Sequence, residues 1–323
     1  MTFTGRGLYA ASSKEPRGRR SGWLLIGAVV ALVVLLGGTL AAFGSVQLGG
    51  ESRTDDFTGA DAVAVHNGSS GDVSVHRVAG DEVTVERELQ GTPLADAREK
   101  LDMKGGTVTA GAKCGGGWFF GGCEVDYSIG VPEGTAVTIE AHSGDVELEG
   151  IAGEVDVEAG SGSITGEDLR GDVHAATTTG DIELSGVEGD LDLESNTGSL
   201  SAEGTGGTVV AEATTGQVDF GGLQADRFEI ETTTGGVDLE AGFSVAEIET
   251  TTGQVEVEAL EPFSRLAVET TTGSAEVEVP DGTYRIGGES TTGDRDIDVE
   301  TSPDAGSRIL VSSTTGSVSV SAD

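Results

Sequence analysis

A charged segment near residue 300 contains the only residues whose types suggest catalysis. Asp294, Asp296 and Asp298 alternate with Arg295 directly after Gly293. Enzymes that cleave polysaccharides use paired carboxyl groups as general acid and base, often beside a cation. No motif here predicts the partners that such a site also needs, so we expect a protein without enzymatic activity. A carbohydrate-active β-helix enzyme remains a remote alternative.

The other candidate side chains stand apart from one another. Four histidines lie near predicted strand ends, and no pattern of catalytic or metal-binding partner residues accompanies them: His66, His76, His142 and His174. Four arginines are interpreted as isolated residues, solvated or ion-paired: Arg227, Arg265, Arg285 and Arg308. The phosphate-binding patterns GxxxxGK and GxGxxG before a helix are also missing from the sequence. We therefore expect no cofactor.

Acidic residues recur three positions after a glycine, at Glu147, Glu183, Asp219, Asp238, Glu256 and Glu276. If these positions stack outward at about 5 Å, neighbouring charges repel by just under ~1 kcal/mol in water. Divalent cations could bridge such a column through oxygen ligands. The calcium-binding nonapeptide GGxGxDxUx is missing, however, so we expect a solvated acidic face with weak divalent cation binding as the alternative.

Two cysteines bracket a glycine-rich loop. Cys114 and Cys123 enclose "GGGWFFGG", a spacing too long for a CxxC redox pair. Two thiols supply only half of a tetrahedral zinc site. Because close cysteines pair in oxidising compartments, we predict a structural disulfide.

The elements that position these residues follow from a repeat. The triplet Thr-Thr-Gly occurs seven times, and related triplets extend the series. Their glycines are Gly144, Gly162, Gly180, Gly198, Gly216, Gly235, Gly253, Gly273, Gly293 and Gly316. Successive intervals of 18, 18, 18, 18, 19, 18, 20, 20 and 23 residues are typical of a stacked array.

Short alternating segments between the glycines indicate the repeating unit. Apolar residues occupy the second and fourth positions after a glycine, as at Val146 and Leu148, and again eleven and thirteen positions after it. Such period-2 runs are typical of half-buried strands. We predict an all-β parallel β-solenoid with coils of about 18 residues, stacked about 4.8 Å apart. A narrow aliphatic interior explains an aromatic content of only 4%.

The glycine triplets are interpreted as corners of the coil. Glycine tolerates positive φ, and the small residues before it, such as Thr232 and Thr234, suit a tight angle. Stacked threonines are expected to hydrogen-bond hydroxyl to hydroxyl along the rod. Flat faces of T-x-T pairs bind ice in some solenoids, which makes ice binding another remote alternative. Here the side chains of the T-x-T pairs are expected to point toward the interior of the coil, which disfavours ice binding.

The N-terminal segment predicts a membrane anchor. Residues 1–22 form a basic head with five basic residues and one acidic residue, net +4. Residues 23–43 contain no charge and are long enough to cross a bilayer as one helix. From residue 44 onward, 13 basic and 55 acidic residues give −42. We therefore expect a single-pass cell-membrane protein with a cytoplasmic N-terminus and an extracellular acidic domain, which repels nucleic acid. A cleaved signal peptide is the alternative.

The extracellular part is divided into three regions. Residues 44–58 are predicted as a linker. Residues 59–140 are predicted as a capping β region that contains the disulfide and a short helix, "TPLADAREKLD", starting near Thr92. Residues 141–323 form the predicted β-solenoid array. A solenoid needs its first coil covered, which is the expected role of the cap.

The sequence resembles a known family over about residues 60–323. The segments "NGSSGDVSV" and "VPEGTAVTIEAHSGDVEL" and the run of TTG-x-V-x-V corners resemble the putative-adhesin β-strand-repeat family of bacterial envelope proteins. The resemblance implies adhesion, but it brings no ligand and no catalytic residue. We therefore expect a surface-interaction or envelope-structural module with an envelope glycan or protein as ligand. A sensory or regulatory role in envelope stress is the alternative.

Overall fold

The computed structural model describes residues 48–91, 96–115 and 123–322, and their regular structure is entirely β. The basic head 1–22 and the predicted span 23–43 lie outside the described residues. Within the described ranges, no helix has the length and apolar character needed to cross a membrane.

Thirteen strands form the central coils of the chain. They are β8 Ala136–Ala141, β9 Val146–Glu149, β10 Val155–Ser161, β11 Ile164–Glu167, β12 Val173–Thr179, β13 Ile182–Glu188, β14 Leu191–Thr197, β15 Leu200–Thr215, β16 Val218–Thr234, β17 Val237–Thr252, β18 Val255–Ala259, β19 Arg265–Thr272 and β20 Ala275–Val279. Each pairs in parallel with the equivalent strand one coil away. Val155 lies opposite Val173, and Val173 lies opposite Leu191. The predicted parallel β-solenoid and its 18-residue register are confirmed.

Inward side chains of successive coils stack into a continuous core. Alternating residues such as Val155 and Val157 are at most 1% exposed, and Ile151 and Leu169 fill the third side of the early coils. The later coils instead contain an aromatic ladder, defined as Phe220, Phe228, Phe243, Phe263 and Tyr284. Its neighbouring ring centroids are 5.3–6.3 Å apart. The expectation of a purely aliphatic interior is therefore wrong for the C-terminal half.

The described part of the N-terminal region contains seven strands: β1 Leu48–Thr58, β2 Ala62–Gly68, β3 Val73–Arg77, β4 Glu82–Gly91, β5 Asp96–Lys104, β6 Thr107–Gly115 and β7 Glu124–Val131. Two predictions are wrong here. The linker expected over 44–58 contains β1, which pairs antiparallel with β4. The helix expected near Thr92 is contradicted from Asp96 onward, where β5 pairs antiparallel with β6, while residues 92–95 lie outside the described residues. Tertiary pairing with a neighbouring strand outweighs the helix propensity of "ADAREKL".

The order of coils in space differs from their order along the chain at the N-terminal end. Strands β2 and β3 form one coil, but that coil lies between β6–β7 on one side and β8–β9 on the other. The end of the stack beyond β6 and β7 is covered by the antiparallel strands β5 and β4.

A similar reordering occurs at the C-terminal end. Its strands are β21 Thr283–Gly287, β22 Ser290–Thr292, β23 Arg295–Asp298, β24 Glu300–Thr301, β25 Ser307–Thr315 and β26 Val318–Ala322. The coil of β25 and β26 lies between β19–β20 and the coil of β21 to β23. Coils near both chain ends thus have a paired neighbour on each side, which satisfies their backbone groups and opposes fraying.

A partly buried ionic cluster lies in the N-terminal cap. The guanidinium of Arg87, only 4% exposed as a residue, pairs with Glu99 at 3.2 Å and with Asp55. Glu99 also pairs with Arg53. Burial raises the pKa of the Tyr127 phenol to about 12, and the charge of Glu99 adds to the effect. The cluster joins β1, β4 and β5 through side chains.

Candidate functional site

A long concave surface follows one corner of the solenoid, and we call it the corner groove. Its volume is about 1560 Å³. Each coil contributes three successive residues before its corner glycine: an outward residue at position −4, a floor residue at −3 and an outward residue at −2. Because the coils repeat in register, equivalent positions recur about every 4.8 Å along the groove. Position −4 is a glutamate and position −2 is Asn or Thr in every coil from Glu194 to Thr271, whereas Ala176 interrupts position −4 and Gly160 and His142 occupy position −2 in the earlier coils.

Carboxylates line one side of the corner groove at position −4. They are Glu140, Glu158, Glu194, Glu212, Glu231, Glu249 and Glu269. Glu194 lies opposite Glu212, which lies opposite Glu231. The pKa of Glu212 is raised, first by partial burial and then by the charges of Glu194 and Glu231. This side therefore repels anions and offers repeated acceptors to hydroxyl, amide or cationic groups.

Hydroxyl and amide groups line the other side, at position −2. They are Thr178, Asn196, Thr214, Thr233, Thr251 and Thr271. The Thr214 hydroxyl donates to the side-chain oxygen of Asn196 at 3.0 Å. These groups both donate and accept hydrogen bonds, whereas the glutamates when ionised only accept.

The floor of the groove is formed by small residues at position −3. Thr177 is 6% exposed, and its hydroxyl donates to the Gly162 carbonyl at 3.3 Å. The Ser313 hydroxyl donates likewise to the Gly273 carbonyl at 3.0 Å. Among the residues that the structure describes, four hydroxyls of this column have no hydrogen-bond partner: Ser195, Thr232, Thr250 and Thr270. The expected hydroxyl-to-hydroxyl ladder is therefore wrong for the buried column. Burial of these threonines also removes them from any flat T-x-T face.

The corner glycines make the groove possible. Nine of the ten have φ between 106° and 159°, a region that favours glycine. Each approaches the coil beside it closely: a Cβ on Gly198 would lie 1.9 Å from the carbonyl oxygen of Gly180. Ladder hydrogen bonds continue through the corner, as from the amide of Gly198 to the carbonyl of Thr215 at 3.0 Å.

One end of the corner groove is basic. It is lined by His66, Arg98, Lys100, Lys113 and His142. The Nδ1 atom of His66 lies 3.0 Å from the carboxylate of Glu140. Cys114 also lies at this end and forms the disulfide with Cys123, with 5.4 Å between their Cα atoms.

The other predicted site residues lie elsewhere. Asp294, Arg295, Asp296 and Asp298 are exposed on or beside β23, at the end of the stack, and none lines the corner groove. The predicted acidic column exists, but Thr165 and Ser201 interrupt it between Glu147 and Asp219. Burial, then the neighbouring Asp219 and Glu240, raise the pKa of Asp238. Among the described residues, no group of three His, Cys, Asp or Glu side chains is arranged to hold a metal ion.

Sequence reasoning missed the groove glutamates and misread the arginines. The glutamates lie four residues before the corner glycines, and the four arginines lie eight residues before Gly235, Gly273, Gly293 and Gly316. The interpretation of Arg265, Arg308 and Arg285 as isolated is wrong, because they stack on adjacent strands. The expected ion pairing is confirmed for Arg227 and Arg265. Counting backward from each glycine would have found both columns.

These features define a parallel β-solenoid whose corners form a repeated polar groove. The chain belongs to the Toastrack DUF4097 family, whose model matches residues 63–323. The family resemblance predicted from the corners is confirmed.

Three solved structures illustrate its similarity to other proteins. One, described as a putative lipid binding protein from Parabacteroides distasonis, is 12% identical, with 84% of this chain and 96% of that chain covered and a TM-score of 0.42. A putative adhesin from Bacteroides fragilis is 11% identical, with coverage of 84% and 97% and a TM-score of 0.35. A putative cell adhesion protein from Clostridium sporogenes is 9% identical, with coverage of 85% and 100% and a TM-score of 0.28. Comparison with curated proteins found no significant match.

Proposed function

We infer that this protein is a membrane-anchored, extracellular surface-interaction module that carries out no reaction of its own. It binds a linear, hydroxyl-rich envelope glycan along the corner groove. The observation that carries this proposal is the repetition of acceptor and donor columns on opposite sides of one groove, continuous over the coils from Glu194 to Thr271.

The groove chemistry supports a neutral or amino-bearing glycan. Sugar hydroxyls both donate and accept hydrogen bonds, so they match carboxylates on one side and Thr or Asn groups on the other. The glutamate column disfavours an anionic polymer. Each coil offers only a shallow contact, so affinity comes from many weak contacts made by one chain of sugars. The adhesin names of similar structures agree with a role in contact.

The proposed location rests on the sequence. A basic head followed by 21 uncharged residues is typical of an anchor whose following domain is outside the cytoplasm. Protease treatment of intact cells should digest the acidic domain and leave the N-terminal head protected. Protection of the whole chain until the cells are lysed would contradict the proposed orientation.

A pair of matched triple variants tests the groove. Thr214→Val, Thr233→Val and Thr251→Val remove hydroxyls that line it. The control is the same change at the exposed neighbours Thr215, Thr234 and Thr252, which do not line it. Binding of the purified chain to isolated cell-wall glycan is measured by co-sedimentation. The groove variant should lose about tenfold in affinity, and the control should stay within about twofold. Equal binding by both variants would refute the groove as the glycan site.

A further inference from the structure

A stack of arginines lies on the outer surface of the C-terminal coils. Arg265 on β19 lies opposite Arg308 on β25, and Arg308 lies opposite Arg285 on β21. All three residues are exposed. Because adjacent coils are about 4.8 Å apart, three like charges project from neighbouring positions. We call these three residues the arginine stack.

The arginine stack stands out against the composition of the chain. The sequence has 56 acidic and 18 basic residues, so a surface arginine should readily find a carboxylate. Arg227, in the same column two coils away, pairs with Glu229 at 3.3 Å and Glu247 at 2.5 Å. Arg265 pairs with Glu247 at 3.2 Å. Within the described residues, neither Arg308 nor Arg285 forms an ion pair with a carboxylate.

The outward position two residues after each arginine of the stack carries no acidic residue. Two residues further along each strand, the outward position in the preceding coils is occupied by Asp192, Val210, Glu229 and Glu247, so three of these four coils carry an acid there. On the three coils of the stack, the same position is occupied by Ala267, Leu310 and Gly287. The next outward position is occupied by Glu269 on β19, by Ser312 on β25 and by the exposed Glu289 after β21. The guanidinium of Arg285 donates weakly to the Ala305 carbonyl at 3.5 Å. Like charges therefore stack where the adjacent outward position carries no acid on any of the three coils.

We propose that the arginine stack is a binding site for phosphate groups. A guanidinium presents a planar fork of donors that matches phosphate oxygens, and it keeps its charge at all physiological pH values. A tetrahedral phosphate has enough oxygens to contact two guanidiniums on adjacent coils. Arg308, the middle member, would share a phosphate with Arg265 on one side or with Arg285 on the other. The site is separate from the corner groove and does not depend on glycan binding there.

The test uses isothermal titration calorimetry on the purified full chain at low salt. The probes are inorganic phosphate, a short soluble polyphosphate and glycerophosphoglycerol, which represents a lipid headgroup. Arg308→Gln should weaken phosphate binding about tenfold. The matched control is Arg227→Gln, which removes an equal charge from the same column but from an arginine already paired with two glutamates; it should change affinity by less than about twofold. Arg308→Lys should give an intermediate loss, because it keeps the charge without the fork.

Different probes distinguish the source of the phosphate. Tighter binding of polyphosphate than of glycerophosphoglycerol supports a polymer lying along the stack, and the reverse supports a headgroup. Failure of all three probes to bind, or equal losses in Arg308→Gln and Arg227→Gln, would overturn the proposal. Because Arg308 is exposed, its variants should keep the circular dichroism spectrum of the parent.

Discussion

The corner glycines provide the most direct test of the fold. Gly198 has a φ of 145°, and a Cβ added there would lie 1.9 Å from the carbonyl oxygen of Gly180. The atom it meets is backbone, which cannot rotate away. Gly198→Ala must therefore separate two coils, and it lengthens the ladder bonds on either side of the corner: Gly180 N–H to Thr197 O and Gly198 N–H to Thr215 O, both 3.0 Å.

The expected loss of unfolding free energy has two parts. Holding a non-glycine residue in this region of φ costs about 2 kcal/mol. Loss of the two ladder hydrogen bonds beside the corner costs about 2 kcal/mol more, at about 1 kcal/mol net for each bond. We therefore expect Gly198→Ala to destabilise the protein by about 4 kcal/mol, the sum of the two costs.

Two adjacent glycines elsewhere in the chain, Gly221 and Gly222, serve as controls that distinguish the cost of backbone strain from the cost of steric overlap. Gly222 has a φ of 76° but no atom within 4 Å of an added Cβ, so Gly222→Ala should cost only about 1–2 kcal/mol. Gly221 lies outside the positive-φ region, and its Cβ would meet only Asp219 Oδ1 at 3.9 Å. Gly221→Ala should therefore be neutral or slightly stabilising.

Urea denaturation followed by far-ultraviolet circular dichroism compares the three variants. Hydrogen exchange read by mass spectrometry then locates the effect, because neighbouring coils of a solenoid unfold in local units. Strands β13 to β15 should lose protection first in Gly198→Ala. If Gly198→Ala is no less stable than Gly222→Ala, the close approach of stacked corners does not exist in solution.

Three further experiments test the core, the disulfide and the cap. Phe228→Ala should cost about 3–5 kcal/mol, because its ring packs between Phe220 and Phe243, whereas Leu260→Ala at a 45% exposed site should stay within about 0.5 kcal/mol in urea denaturation. Cys114→Ser should lower stability by about 2–3 kcal/mol, and reduction of the parent should produce the same loss; an unchanged midpoint on reduction would contradict this. The Tyr127 phenol should titrate near pH 12 by absorbance, and Tyr127→Phe should remove that step. Since folding raises this pKa, the stability it contributes is present below about pH 10 and is lost as pH rises toward 12.

The regular part of the fold could be predicted from the sequence because a solenoid coil contacts mainly its two neighbours. Apolar pairs such as Val155 and Val157 face inward wherever the period-2 pattern continues, and each corner requires a glycine such as Gly198. Irregular segments could not be predicted in the same way. The segment of β5 has a helix-like composition, and only its pairing with β6 makes it a strand.

The candidate sites could not be recognised in the sequence for a related reason. A single glutamate such as Glu212, or a single arginine such as Arg308, is an ordinary surface residue in the sequence. Each becomes part of a column only when its distance from a corner glycine is compared across coils. The concave shape of the groove cannot be read from spacing, because it depends on how the strand bends between positions −4 and −2.

The sequence alone determined the coil length, the inward and outward phases and the corner positions, because alternation and glycine spacing are local properties of the chain. Only the tertiary structure decided the order in which the coils stack. The segments that form β2–β3 and β25–β26 carry the same pattern as their neighbours, so the pattern fits any adjacent coil equally well. Their placement inside the stack follows from pairing both edges of each coil, which is a property of the assembled sheet.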